Sequence, residues 1–213
     1  EPLSRYLTVP PVRIQQVSTA WAGLRPLISQ PGKKPTELSR KDEILVGPSG
    51  VISVAGGKLT GYRPMAQRAL DKIATVTGLE TDGRAEEEPL PGGDFGGDLA
   101  RLERQLTADF DVQERACARL ARLYGSEASE VAQRGPTPLV ENAPVLEGEI
   151  HWSVNVEGAT SVLDVLYRRT RAALYDPDVK DALVGPIARR MAELFDWDEQ
   201  RIEAEVARTR GRL

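Results

Sequence analysis

With one cysteine, one histidine and an aromatic content of 5%, the 213-residue chain is poor in the side chains that most often carry chemistry. The single cysteine, Cys117, excludes an internal disulfide and suits a reducing compartment. Set between Ala116 and Ala118 in a helical pattern, it reads as a small buried thiol. The single histidine, His151, has no second ligand of its own kind for a metal and no evident Ser or Cys partner, so it reads as structural. No apolar run approaches the roughly 20 residues that span a bilayer. Nor does the chain open with a basic segment and an apolar stretch like a signal peptide, so a cytoplasmic location is expected. It opens on Glu1 with features that belong in mid-domain, which suggests a fragment. A net charge of -4 with both signs interspersed gives no global pull toward nucleic acid. A nucleotide-binding Gly-x-Gly-x-x-Gly after a strand is also missing. Gly92-Gly93-Asp94-Phe95-Gly96-Gly97 has the wrong spacing and reads as a flexible loop.

What is present is ordinary for a globular protein: 40% hydrophobic and 28% charged residues. The composition breaks over residues 81–97, an acidic, proline- and glycine-rich stretch without apolar period that reads as a linker. Glu86-Glu87-Glu88 inside it reads as solvated charge. The expected fold class is therefore α+β, with short strands and one helix over residues 1–80 and an all-helical domain over 98–213.

In the first part, Val17 to Leu24 reads as a strand stopped by Pro26. Asp42 to Val46 and Val51 to Ala55 flank Gly47-Pro48-Ser49-Gly50, a hairpin signal. Met65, Ala66, Ala69, Leu70, Ile73 and Ala74 fall at helix spacing, with Pro64 in the first turn and Gly78 as a stop. In the second part, Leu99, Leu102, Leu106 and Phe110 form one apolar stripe. Val112, Ala116, Leu120 and Leu123 form another, closed by Gly125. Ser126 is expected to cap a short helix through about Gln133, and Pro136 and Pro138 force an extended connection. Helices are expected over Glu147–Val156, Ser161–Leu174, Val179–Phe195 and Asp198–Arg208, with Ser161 paired to Asp164 and Asp198 as start signals. Pro186 should kink the third of these or mark its start. Trp152 and Trp197 read as packing anchors, and Arg168-Arg169-Thr170-Arg171 as interdomain ion pairing or a solvated face.

Chemistry concentrates in the strand, Gly56-Gly57, Lys58-Leu59-Thr60, helix sequence. Two glycines let backbone approach a ligand closely. The helix start beyond them offers unpaired N–H groups and a partial positive charge, to which Lys58 adds a full one. Arg25, held by Pro26, and Arg40, just before the hairpin, would complete a cluster suited to a phosphate dianion. Solvated or salt-bridged surface cations explain the same residues equally well.

Trp21-Ala22-Gly23-Leu24-Arg25-Pro26-Leu27, Leu38-Ser39-Arg40 and Val51-Ile52-Ser53-Val54-Ala55-Gly56-Gly57-Lys58-Leu59-Thr60-Gly61-Tyr62-Arg63 together resemble the FAD-dependent glycerol-3-phosphate dehydrogenases in order and spacing. Pro89-Leu90-Pro91-Gly92-Gly93, Leu123-Tyr124-Gly125-Ser126, Gly148-Glu149-Ile150 and Asp164 to Arg171 resemble the helical C-terminal domain of that family. The resemblance implies that residues 1–80 are the end of an FAD/substrate domain. It implies oxidation of sn-glycerol 3-phosphate to dihydroxyacetone phosphate, with hydride passing from substrate C2 to flavin N5 and electrons on to a membrane quinone. Arg25, Arg40 and Lys58 would hold the substrate phosphate, and Gly56, Gly57, Lys58, Leu59 and Thr60 would lie against the flavin. The family usually has a second threonine where this chain has Gly61, which loosens the turn. The ADP-binding unit and the family's catalytic histidine belong to an N-terminal portion, so this chain alone is expected neither to retain FAD nor to turn over substrate. A homodimer and peripheral attachment to the inner membrane are compatible with the resemblance. Two alternatives stand beside it: a helical capping and self-association module without catalytic role, and a glycerol-3-phosphate oxidase using oxygen.

Overall fold

The computed structural model describes residues 5–24, 28, 32, 41–80 and 88–213. Arg25 and Arg40 lie outside the described residues, as do Glu86 and Glu87. The chain divides into two compact units, one formed by Ala22–Pro89 and the other by Glu1–Trp21 with Leu90–Leu213.

In the first unit, β1 (Glu43–Val46) and β2 (Ile52–Ala55) pair antiparallel, with Glu43 opposite Ala55 and Val46 opposite Ile52. The turn between them closes through Gly47, whose N–H donates to Val51 O at 2.8 Å, and Gly50, which takes a positive φ of 81°. A 3₁₀ turn, Leu59–Gly61, leads into α1 (Tyr62–Thr77), which ends on Gly78 in the left-handed conformation with its N–H on Ala74 O at 2.8 Å. Hairpin and helix thus follow the residue pattern. The strand expected at Val17–Leu24 does not form: Val17 follows a 3₁₀ turn, Ile14–Gln16, and the residues after it carry no strand structure. A strand exists only through its ladder, and no described segment runs alongside this one. Instead Thr19 Oγ1 donates to Leu174 O at 3.1 Å.

The second unit is helical: α2 (Leu99–Asp109), α3 (Glu114–Tyr124), α4 (Ala128–Gln133), α5 (Glu147–Asn155), α6 (Ala172–Tyr175), α7 (Lys180–Phe195) and α8 (Glu199–Arg210). Helix α8 opens as expected, the Asp198 carboxylate accepting from Arg201 N–H at 2.8 Å, and α2 opens in the same way on Asp98, which the residue pattern did not single out and which accepts from Arg101 N–H at 2.9 Å. Ser126 does not cap α4; it sits inside a 3₁₀ turn, Gly125–Glu127, that joins α3 to α4 directly. The Ser161–Asp164 pairing forms, at 2.8 Å, but the helix it starts is not continuous. Residues Asp164–Arg169 wind as a π-helix, and Arg171 at φ 56° breaks the run before α6. Helical geometry continues through Pro186 in α7, so that proline does not mark the start.

Two apolar clusters form this unit's interior. One gathers Leu106 of α2, Cys117 and Leu120 of α3, Val131 of α4, and Leu146 and Trp152. The other gathers Val145, Ile150 of α5, Val165, Leu166, and Leu183, Ile187 and Met191 of α7. Helix α5 lies between them, Trp152 facing the first cluster and Ile150 the second. It is consequently buried around much of its circumference, Glu149 included. Cys117 is buried as expected, and Trp152 meets Tyr124 edge-on with ring centroids 6.4 Å apart. Trp197 stacks on Phe195 at 5.5 Å.

The loop expected to be flexible is in part docked. Gly92 and Gly125 face each other at positive φ, and a Cβ on Gly125 would lie 1.8 Å from Gly92 O. Ser126 N–H donates to that same carbonyl at 3.0 Å. Glycine is required at both positions because the backbones touch where any side chain would stand.

Candidate functional site

Gly57, Lys58 and Thr60 of the Gly56–Thr60 turn line a cleft of about 500 Å³ together with Lys41, Asp42, Met65 and Arg68. Strand β2 ends at Ala55, and the next two residues take φ of 77° and 82°, values open to glycine. Their missing side chains leave room for the chain itself: a Cβ on Gly56 would stand 2.5 Å from Lys41 O, and one on Gly57 2.4 Å from Met65 Sδ. The left-handed backbone at both positions, and the Lys41 carbonyl packed against Gly56, therefore demand this glycine pair without any ligand. Lys58 follows in extended conformation, and no side chain caps the 3₁₀ turn, whose Leu59 and Thr60 amides make no hydrogen bond among the described residues; the start of α1 is already engaged, Tyr62 N–H donating to Leu59 O and Gly61 N–H to Lys58 O. Among the described residues, no hydrogen bond or ion pair engages the Lys58 side chain. Leu59 and Thr60 are exposed.

Across the cleft, Arg68 of α1 reaches Asp42 just before β1, with Nη2 to Oδ2 at 2.5 Å and Nε to Oδ2 at 3.0 Å. The guanidinium's hydrogen bonds hold the Asp42 carboxyl below its ordinary range. This pair did not announce itself in the sequence. Its partners are 26 residues apart and only the hairpin brings them together.

The helical unit holds a second polar centre, beneath its surface. Glu149 is fully buried and accepts from Arg119 Nη1 on both oxygens at 2.7 Å, from Tyr124 Oη at 2.9 Å and from Leu146 N–H at 2.9 Å. Arg119 Nη2 also donates to Thr170 O at 2.9 Å. Burial disfavours the Arg119 charge, yet the adjacent Glu149 carboxylate outweighs it, and the guanidinium's pKa is raised. Burial, then the Glu149 charge, pushes the Tyr124 phenol well above its ordinary value. The network ties α3 and α5 to the π-helical turn; its outer members Arg119 and Thr170 also line a groove of about 450 Å³ with Arg115, Arg122, Arg171 and Asp176, while Glu149 itself is fully buried. Arg168 pairs with Asp164 at 2.7 Å and Arg169 with the Glu157 carbonyl at 2.7 Å, so these cations serve their own unit. His151 joins no metal-binding cluster among the described residues.

Residues 84–202, more than half of the chain, match the family described as the C-terminal domain of alpha-glycerophosphate oxidase. The chain belongs to this family. The aerobic glycerol-3-phosphate dehydrogenase of Bacillus subtilis (strain 168) is 33% identical over 208 residues, covering 89% of this chain and 37% of that protein. Its counterpart from Staphylococcus aureus (strain USA300) is 34% identical over 211 residues, covering 89% and 36%. The crystal structure of the glycerol-3-phosphate dehydrogenase from Bacillus halodurans complexed with FAD superposes with a TM-score of 0.62 at 30% identity, over 79% of this chain and 36% of that one. The chain thus spans little over a third of the length of these relatives. Membership matches the resemblance carried by the motifs around Gly92, Tyr124 and Glu149. Among the described residues, no helix is long and apolar enough to cross a membrane.

Proposed function

We propose that this chain is the C-terminal part of an FAD-dependent glycerol-3-phosphate dehydrogenase that oxidises sn-glycerol 3-phosphate to dihydroxyacetone phosphate. The observation that carries this reading is the reach of the likeness. Relatives of that name match 89% of the chain, well beyond residues 84–202 and into the unit that bears the Gly-Gly-Lys turn. The turn's chemistry fits a flavin and an anionic substrate: open amides at the start of the 3₁₀ turn and a Lys58 ammonium that is unengaged among the described residues. Gly56, Gly57, Lys58, Leu59 and Thr60 would present backbone to the flavin. Lys58 would act as a point charge toward the substrate phosphate, with Arg25 and Arg40 offering bidentate guanidiniums. FAD, when bound, supplies the hydride acceptor. The remainder of its site belongs to an N-terminal portion, so the chain alone retains no FAD and turns over no substrate.

Electrons pass to a quinone in this reading, from a cytoplasmic protein at the periphery of the inner membrane that pairs as a homodimer. The family description names an oxidase, which favours oxygen as the second choice of acceptor. Hydrogen peroxide formed in step with substrate oxidation, without added quinone, would decide for oxygen.

The test of the site is an anaerobic titration with sn-glycerol 3-phosphate, followed by flavin absorbance, on the full-length protein carrying Lys58→Ala. Substrate-driven bleaching should be lost or need at least tenfold more substrate while FAD stays bound. Unchanged bleaching and affinity would reduce the Gly-Gly-Lys turn to scaffolding.

A further inference from the structure

Among the described residues, four charged side chains line the cleft beside the Gly56–Thr60 turn, namely Lys41, Asp42, Lys58 and Arg68, and the one carboxylate of these four belongs to Asp42. An anion entering this space meets attraction from the cations and repulsion from Asp42. Left alone, Asp42 would also compete with any phosphate for the Lys58 ammonium. Arg68 prevents both, because its guanidinium holds the carboxylate through two hydrogen bonds, at 2.5 and 3.0 Å. The same pair has a mechanical side. Asp42 Cβ would lie 3.3 Å from a side chain on Gly57, and Lys41 O packs 2.5 Å from the corresponding point on Gly56. Arg68 therefore anchors to α1 the short segment against which both glycines rest, three residues along the helix from Met65, which backs Gly57.

Resting on the reading of this turn as a flavin and glycerol-phosphate site, we propose that the Asp42–Arg68 ion pair is a positioning and charge-masking device. It keeps Lys58 available to the substrate phosphate. Neither residue touches the substrate. Arg68 acts through Asp42, and Asp42 acts through the charge it would otherwise present to Lys58. The lowered carboxyl pKa of Asp42 agrees with a pair that stays ionised throughout the working pH range.

Charge and fold make different demands, so the experiment separates them. In the full-length, FAD-loaded protein, Arg68→Met removes the mask and lowers the cleft's formal charge by one, whereas Asp42→Asn with Arg68→Met restores it. Arg68→Met should retain FAD and raise the KM for sn-glycerol 3-phosphate about tenfold, with a smaller change in kcat. The anaerobic bleaching midpoint should move in parallel. The double variant should recover to within about threefold of the unsubstituted protein, although it lacks both partners. Asp42→Asn alone should bind substrate at least as well as the unsubstituted protein, and it serves if Arg68→Met does not fold. An unchanged KM in Arg68→Met overturns the proposal. So does a double variant as impaired as the single one, or a KM raised by Asp42→Asn alone, since each would mean the pair matters only as a structural brace. If the unsubstituted protein fails to bleach with sn-glycerol 3-phosphate, the fault lies with the function itself rather than with this pair.

Discussion

Glu149 shows how much one residue can commit. A carboxylate buried without partners would neutralise or unfold its surroundings, and this one survives because Arg119, Tyr124 and the Leu146 amide all donate to it. Removing the acid leaves the Arg119 charge, itself largely buried, without its counter-ion. Glu149→Ala should therefore cost about 3–5 kcal/mol, read from urea denaturation. Tyr124→Phe withdraws one of several donors and should cost only about 1 kcal/mol. The two also differ in pH dependence. The folded-state pKa of Tyr124 is raised, so its contribution is intact below the ordinary phenol value of about 10 and disappears as pH climbs through the higher folded value. A plot of stability against pH should fall more steeply above pH ~10 in the unsubstituted chain than in Tyr124→Phe. Equal slopes would mean that the phenol titrates normally. None of this could be read from the pattern Glu147 to Val156, where Glu149 looks like one more polar position on a surface helix. Only the second apolar cluster, closing over the other side of α5, buries it.

At the scale of elements, apolar spacing located most helices to within a residue or two, and failed where a backbone special intervenes. Ser161–Leu174 has an unbroken helical pattern, yet its hydrogen bonds shift by one residue. Thr170 N–H donates to Val165 O at 2.9 Å, and Arg171 then turns left-handed. The cause is tertiary: Arg119 captures Thr170 O, which ends the run, and a single-residue pattern carries no sign of a partner 51 positions away. The Gly92–Gly125 contact was equally hidden, since both glycines look like ordinary loop punctuation until the backbones are seen to meet. These two places predict opposite signs. Gly125→Ala forces a Cβ against Gly92 O and should lower the melting temperature by many degrees. Arg171→Gly relieves a left-handed non-glycine residue and should raise stability by about 1 kcal/mol, less the entropy that glycine adds to the unfolded chain. A loss at Arg171→Gly would show that the side chain supplies more than its backbone costs.

Across the whole molecule, apolar burial is distributed very unevenly. Among the described residues, the buried apolar core belongs to the helical unit, between Leu106 and Ala192, whereas Leu45 of β1 and Val54 of β2 are 54% and 46% exposed. The α+β reading and the sequence boundaries of hairpin and helices were accessible from residue patterns, because turns and amphipathic stripes are local. How far each unit can stand alone was not, because burial depends on what covers a face. A two-stranded hairpin without a covered face is marginal in water. Local stability should follow that distribution. In native-state hydrogen exchange on the 213-residue chain, amides of α3, α5 and α7 should exchange only through global opening of their unit, with a common free energy. Those of the paired residues Glu43–Val46 and Ile52–Ala55 should exchange orders of magnitude faster. In the full-length protein, if the proposed function holds, FAD binding should slow exchange at Gly57 to Gly61 and leave α5 unaffected, because the ligand adds its binding free energy only to openings that break its site. Slow exchange in the hairpin of the isolated chain would mean that it already has a covering partner, either the helical unit or a second copy. Repeating the measurement at tenfold dilution distinguishes these, since only pairing between copies weakens with concentration.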